Sequence, residues 1–228
     1  MLTFAQKVAG FNQQLSDSLS IPNSFEVLNP YQNPNTLNYC TNFLNKYYND
    51  HNKRVFVLGI NPGRLGAGLT GISFTDPIHL SKVCGINNTL DKRPELSSQF
   101  IYEVIDAYGG AIPFFNQFFL SSVCPLGFTK GGKNINYYDD RELINATDSY
   151  IISAMDKQIE MGAFRQSCIC LGEGANFKYL SKINARNHWF KKIYPLAHPR
   201  FILQYKRKEK QRYIQMYLDT LNQCVQQL

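Results

Sequence analysis

A few side chains in this sequence stand where the backbone restricts them and where they could handle a small, flat ligand. The stretch "GINPGRLGAGLTGISF", residues 59–74, leaves the apolar run Val55-Phe56-Val57-Leu58 directly. Pro62 fixes its own φ and narrows the conformations open to Asn61, so the Asn61 carboxamide is held at a strand tip. That group carries one acceptor and one donor and does not titrate, which suits it to hold a water or the edge of a base. Phe74 closes the stretch with an aromatic face on which a planar ligand can lie. His198, in "LAHPR" (196–200), stands at another strand end before a proline, whereas His51, His79 and His188 have no comparable setting.

The same stretch also carries "GAGLTG" (66–71), which fits the dinucleotide pattern GxGxxG. That fingerprint should open immediately after the strand and start a helix, yet "NPGRL" intervenes and no clear helix follows Gly71. A P-loop is excluded because no Lys-Ser/Thr pair follows the second glycine. The loop therefore has three readings: a structural connection, a nucleotide cradle, or one wall of a pocket for something flatter.

The elements that must position these residues follow from periodicity. Phe4, Val8, Phe11, Leu15 and Leu19 repeat at helical spacing, and a second helix is expected from about Leu37 to Tyr48. "RVFVLGI" reads as a strand buried on both faces, followed by a partly helical, irregular region over 75–115. "QFFLSSVCPL" (117–126) is a second strand and "GFTKGGKNINYYD" a glycine-rich loop before a helix over 140–161. "SCICLG" (167–172) and "KIYPLAHP" (192–199) supply two more strands, with a short helix over 176–183 between them and a last helix, "KEKQRYIQMYLDTLNQ", after them. Strands alternating with helices predict an α/β fold: a three-layer α/β/α sandwich around a central, mainly parallel four-stranded sheet, read as a single domain over 1–228. Ligands of such sheets sit outside the C-terminal ends of the strands. Residues 61–74, 121–125 and 197–200 should then border one crevice.

The totals fit this picture. With 228 residues, 44% of them hydrophobic, the chain can bury one full-sized core. A net charge of +7 favours polyanionic partners. The six cysteines form no CxxC pair and most lie in apolar surroundings, so they read as reduced core thiols of a cytoplasmic protein. Residues 1–20 contain no long apolar core, and neither a signal peptide nor a membrane partner is expected.

"LGINPGRLGAGLTGISF" resembles the corresponding loop of the single-strand-selective monofunctional uracil-DNA glycosylases, which runs roughly GMNPGP, FG, QTGVPFG. Asn61 and Phe74 fall at that family's spacing. "VLNPYQNP", "VCGI", "DKRP", "FFLSSVCPL", "GKNI" and "LAHPR" have counterparts in the same order across residues 25 to 205. The resemblance implies a divergent, bacterial-type DNA glycosylase of base excision repair. It would flip uracil or a related damaged base out of single- or double-stranded DNA and hydrolyse its N-glycosidic bond, as a monomer and without metal or other cofactor. Carried over position by position, Asn61 would position the attacking water and His198 would donate to uracil O2. Ile60, Gly63, Phe74 and Ser122 would line the base pocket, with Gly63 leaving room near C5.

Several positions depart from the family pattern. Ser122 stands where an Asn reads the base edge, so a single hydroxyl replaces a two-pronged amide and discrimination is weakened or shifted to backbone near Ile60 and Phe74. Arg64 replaces a Pro, Thr75 a Gly, and "HPRFI" lacks the Ser-Pro of HPSPR in the loop expected to wedge into DNA. The basic run "KRKEKQR" (206–212) follows closely. Lys206, Arg207 and Lys208 of this run, together with Arg200, are the candidate phosphate contacts, with Lys210, Arg212, Lys130 and Lys133 in support. These departures keep two alternatives open: a DNA-binding member of the fold that has lost turnover, and a nucleotide-binding enzyme using "GAGLTG".

Overall fold

A computed structural model of the chain describes residues 1–16, 19–226 and 228. Its helices and strands run α1 (Phe4–Gln13), β1 (Glu26–Leu28), α2 (Pro34–Tyr47), β2 (Arg54–Gly59), α3 (Ala67–Thr70), α4 (Pro77–Lys82), α5 (Leu96–Ala107), α6 (Ala111–Gln117), β3 (Phe118–Ser122), β4 (Gly127–Lys130), β5 (Lys133–Ile135), α7 (Arg141–Glu160), β6 (Ala163–Leu171), α8 (Ala175–Asn187), β7 (Lys192–Leu196), α9 (Pro199–Tyr205) and α10 (Lys210–Val225). Four strands form one all-parallel sheet in the order β3-β2-β6-β7. The apolar run that marks β2 places it centrally, with all six of its residues buried. Helices make the two outer layers: α1 packs on α2 and α7, and α5 packs on α9 and α10. The predicted α/β/α sandwich with its parallel four-stranded sheet is what the chain adopts.

The glycine-rich segment after β3 is not the loop that its composition suggests. β4 and β5 form an antiparallel hairpin whose two turn residues, Gly131 and Gly132, have φ of 56° and 70°. Two successive positive φ values suit the tight turn that matches strand twist, and Gly-Gly meets that demand at no steric cost. β1 pairs with β4 and completes a second, three-stranded sheet. The first helix stops at Gln13 rather than running to Leu19. Leu15 and Leu19 still pack on the core from outside it, and residues 17 and 18 of that expected helix lie outside the described residues. The irregular region over 75–115 is three helices, α4 to α6, and the fourth strand ends at Leu196 so that α9 can begin at Pro199.

β2 opens on Arg54, the largest fully buried side chain. Its guanidinium pairs with Asp50 at 2.6 and 2.9 Å, donates to the Phe115 carbonyl at 2.8 Å, and lies between the rings of Phe4 and Tyr48 at 4.7 Å from each. A charge so completely partnered can stay in an apolar core. The six cysteines are also buried and unpaired. Burial pushes the Cys40, Cys124 and Cys170 thiols up to about 12.

Candidate active site

The three strand-exit segments converge as the parallel topology requires. β2 and β3 run in register with Gly59 opposite Ser122, and the ladder continues past the strand ends. Val123 N–H donates to the Gly59 carbonyl at 3.0 Å and Cys124 N–H to the Ile60 carbonyl at 3.1 Å. A crevice of about 620 Å³ opens above this end of the sheet. Ile60, Asn61, Gly63, Phe74, Ser122, His198 and Arg200 all line it, so seven of the residues singled out from sequence meet at one site.

Asn61 is held from two directions. Tyr137 N–H donates to its Oδ1 at 3.1 Å, while its Nδ2 donates to the carbonyls of Ile135 and Pro62, both at 3.4 Å. Two of these three partners lie just beyond or at the end of β5, so the hairpin missed in the sequence is what orients the amide. Oδ1 keeps one lone pair beyond the Tyr137 bond. Beside Asn61, a β-carbon on Gly63 would lie 3.3 Å from Nδ2 of Asn134, a second hairpin residue on the crevice wall.

His198 caps the N-terminus of α9: its Nδ1 accepts from the Arg200 N–H at 3.2 Å. Burial first, and the Arg200 charge second, lower its pKa from 6.5 to about 4. The imidazole is therefore neutral at pH 7. Because Nδ1 is an acceptor, the proton sits on Nε2, which remains as a donor. The His198 and Phe74 rings lie 6.0 Å apart, centroid to centroid.

Phe74 has a positive φ, 56°, uncommon for a large side chain and sustained only where the surroundings over-determine it. Thr70 Oγ1 donates to the Thr75 carbonyl at 2.7 Å, and the Thr75 hydroxyl meets the Tyr102 hydroxyl at 3.0 Å. Next in the chain, the buried Asp76 carboxylate accepts from Ile78 N–H, His79 N–H and Glu95 N–H and lies 2.9 Å from His79 Nδ1. Burial works against its charge, yet the bonds from His79 and the Glu95 amide hold it below the usual carboxylate range. His79, without apparent context in the sequence, thus helps anchor the Phe74 turn, stacking on Tyr102 at 4.5 Å.

Ser122 is buried, and its carbonyl accepts from Nε2 of Gln158 on α7 at 3.2 Å. The glycines of "GAGLTG" serve packing within the protein. A β-carbon on Gly68 would lie 2.6 Å from the Gly63 carbonyl, and one on Gly71 3.1 Å from both Thr36 and Tyr31. The amides of Gly68, Leu69, Thr70 and Gly71 all donate to carbonyls of the same loop. These four amides are engaged within the loop, which lends the nucleotide reading no support. Among the described residues no three His, Cys, Asp or Glu side chains could hold a metal ion.

The basic run divides. Lys206 pairs with Glu209 at 3.2 Å, Arg212 with Glu209 at 3.4 Å, Lys210 with Glu103 at 2.6 Å, and Lys130 with Asp140 at 3.2 Å. Arg200, Arg207 and Lys208 are exposed, and their side chains form no ion pair among the described residues. The five-residue cluster expected from sequence is reduced to fewer free charges. Only the fold could reveal the partner Glu103, which is remote in the chain.

Fold and crevice together define a DNA glycosylase fold: the family model of the uracil DNA glycosylase superfamily matches residues 45–222, and the chain belongs to that superfamily. Within it the chain falls on the single-strand-selective monofunctional branch that its motifs resemble. It is similar to the crystal structure of wild-type Pedobacter heparinus SMUG2, with 45% identity and a TM-score of 0.95 over 98% of this chain and 99% of that one. A comparison with curated proteins finds no match.

Proposed function

We propose that this protein removes uracil, or a closely related damaged base, from DNA by hydrolysing the N-glycosidic bond of a nucleotide turned out into the crevice. For uracil the C1′–N1 bond breaks with its electron pair going to the base, a water oxygen bonds to C1′, and the water releases a proton to solvent, from which the departing base regains one. The sugar passes through positive charge and the base through negative charge. Asn61 holds the water, its amide fixed by Tyr137 and Ile135. His198 supplies Nε2–H to the base oxygen on which charge develops, and being neutral it brings no buried cation into the site before the reaction. Phe74 stacks on the base, Gly63 leaves room beside C5, and Ser122 reads one polar position. Arg200, Arg207 and Lys208 meet phosphates. The place in the cell's chemistry is base excision repair.

The observation that carries this reading is the meeting on one crevice of an Asn61 amide fixed by the β4–β5 hairpin and a His198 ring whose Nδ1 is occupied by the Arg200 N–H. The test is abasic-site formation on single- and double-stranded oligonucleotides containing uracil, xanthine or hydroxymethyluracil. Cleavage of at least one of them, lost in Asn61→Ala, is the expected result. Binding with no cleavage of any would favour a DNA-binding member without turnover.

A further inference from the structure

Behind the crevice wall lies a buried side-chain amide that does not reach the crevice itself. Asn176 stands in the first turn of α8 and is 1% exposed. Its Nδ2 donates to the Leu171 carbonyl at 3.1 Å and to the Gly59 carbonyl at 3.3 Å, and also meets the Cys170 sulfur at 3.3 Å. Its Oδ1 accepts from the Tyr137 hydroxyl at 2.8 Å. Burial pushes the Tyr137 phenol above its ordinary value, so it stays protonated and donates, which fixes the orientation of the amide.

These partners are the pieces that locate Asn61. Gly59 ends β2 two residues before it, and its carbonyl takes a second bond from Val123 N–H, just past β3, at 3.0 Å. Leu171 ends β6, the strand paired with β2. Tyr137 is fully buried, and its own N–H donates to Asn61 Oδ1 at 3.1 Å. One carboxamide therefore ties two strand ends to the segment whose backbone grips Asn61. A buried amide costs free energy unless its donors and acceptor are met, and an apolar side chain could fill the same volume without that demand. What the amide adds is a fixed relative placement of three chain segments.

We propose that Asn176, acting through Tyr137 and the Gly59 carbonyl, is a positioning residue that sets where Asn61 presents its amide to the attacking water. The proposal rests on the reading of Asn61 as the group that holds that water. Neither Asn176 nor Tyr137 lines the crevice, so neither touches the base, and their influence passes through Asn61. It falls on the bond-making step and spares DNA binding, because the exposed Arg200, Arg207 and Lys208 take no part in this chain of bonds.

The experiment compares the wild type with Tyr137→Phe, which deletes one hydroxyl, and with Asn176→Ala, each with Asn61 intact and in an Asn61→Ala background. The substrate is a single-stranded oligonucleotide carrying uracil. Both substitutions should lower the single-turnover rate at saturating enzyme by about tenfold or more, since small displacements of a positioned group are costly. The half-saturating enzyme concentration should stay within about twofold, and in the Asn61→Ala background neither should cost more than about twofold in rate, because no amide is left to place. The Asn61 side-chain amide resonances should shift in both variants. Equal losses with and without Asn61 would make the network a structural brace and overturn the proposal, as would wild-type rates in Tyr137→Phe. If Asn176→Ala does not fold, Tyr137→Phe decides. Should the wild type leave the uracil in place, its removal is refuted, and the Asn61 resonances alone decide the coupling: a shift upholds it and unmoved signals overturn it.

Discussion

The ring of Phe74 fills the space that a side chain on Gly59 would take: a β-carbon there would lie 2.5 Å from Cζ and 2.8 Å from Cε2. The last residue of the central strand must therefore lack a side chain for the ring to reach its place. Gly59→Ala should displace the ring and lower kcat/KM on a uracil oligonucleotide by about tenfold or more, because sub-ångström positioning matters to catalysis. In a Phe74→Ala background the same substitution should cost little, since the clash is gone. A double-mutant cycle reads this coupling directly. Additive losses would mean that Gly59 acts elsewhere.

His198 caps α9, and in the proposed mechanism it is also the donor to the departing base. His198→Ala should slow single-turnover cleavage by roughly 10²–10³-fold, the loss seen when a preorganised donor to developing negative charge is removed, and should also cost about 1 kcal/mol of stability from the lost cap. His198→Asn can restore the cap without an imidazole N–H, so it should recover melting temperature and not rate.

The same residue sets a pH dependence whose sign follows from its lowered pKa. The unfolded chain takes up a proton on this imidazole below about pH 6.5, whereas the folded protein resists until about pH 4. Stability from this group is thus full above the unfolded value and falls as pH drops from about 6.5 to 4. Denaturant midpoints at pH 7 and pH 5 should differ, and the difference should shrink in His198→Ala. Cleavage should show no protonation step at His198 between about pH 5 and 8.

Asn61→Ala should reduce cleavage by at least about 10²-fold at saturating enzyme while DNA affinity changes little. Because Tyr137 N–H loses its acceptor, its amide resonance should shift and exchange faster with solvent. An unaltered rate would remove Asn61 from the mechanism. An unaltered Tyr137 amide would deny the link to the hairpin.

The division of the basic run predicts unequal salt dependence. Each phosphate contact contributes about 0.7 to 0.9 to the slope of log K against log salt. Replacing Arg200, Arg207 and Lys208 by Gln should flatten the slope by about 2, equally for all sequences. Lys206→Gln should leave it nearly unchanged, because its ammonium is engaged by Glu209. If Lys206 flattened the slope as much as Arg207 does, that pairing would not survive on DNA.

The parallel core was legible because a strand buried on both faces has no alternative pattern: Val55 to Leu58 cannot be half of an amphipathic element. Asn61, Phe74 and His198 were legible because proline and glycine restrict the backbone around them. The hairpin is harder to see, although Gly131-Gly132 lies between the paired Lys130 and Lys133, because a glycine-rich composition signals a loop and only the two successive positive φ values make it a tight turn. α9 was hidden for a related reason. Pro199 reads as a strand end, yet proline is equally at home in the first turn of a helix, and a histidine cap is not a common signal. The pairing of Lys210 with Glu103 had no sequence signal at all, since only packing brings α10 against α5.

Burial of every cysteine bears on the circumstances in which such a protein would work. Alkylating agents and peroxides attack the thiolate, and a thiol held several units above neutral pH scarcely forms one. No cysteine lines the crevice among the described residues. An oxidant burst that damages bases would therefore meet few thiolates on this protein. Iodoacetamide should label the native protein slowly and the denatured chain at six positions.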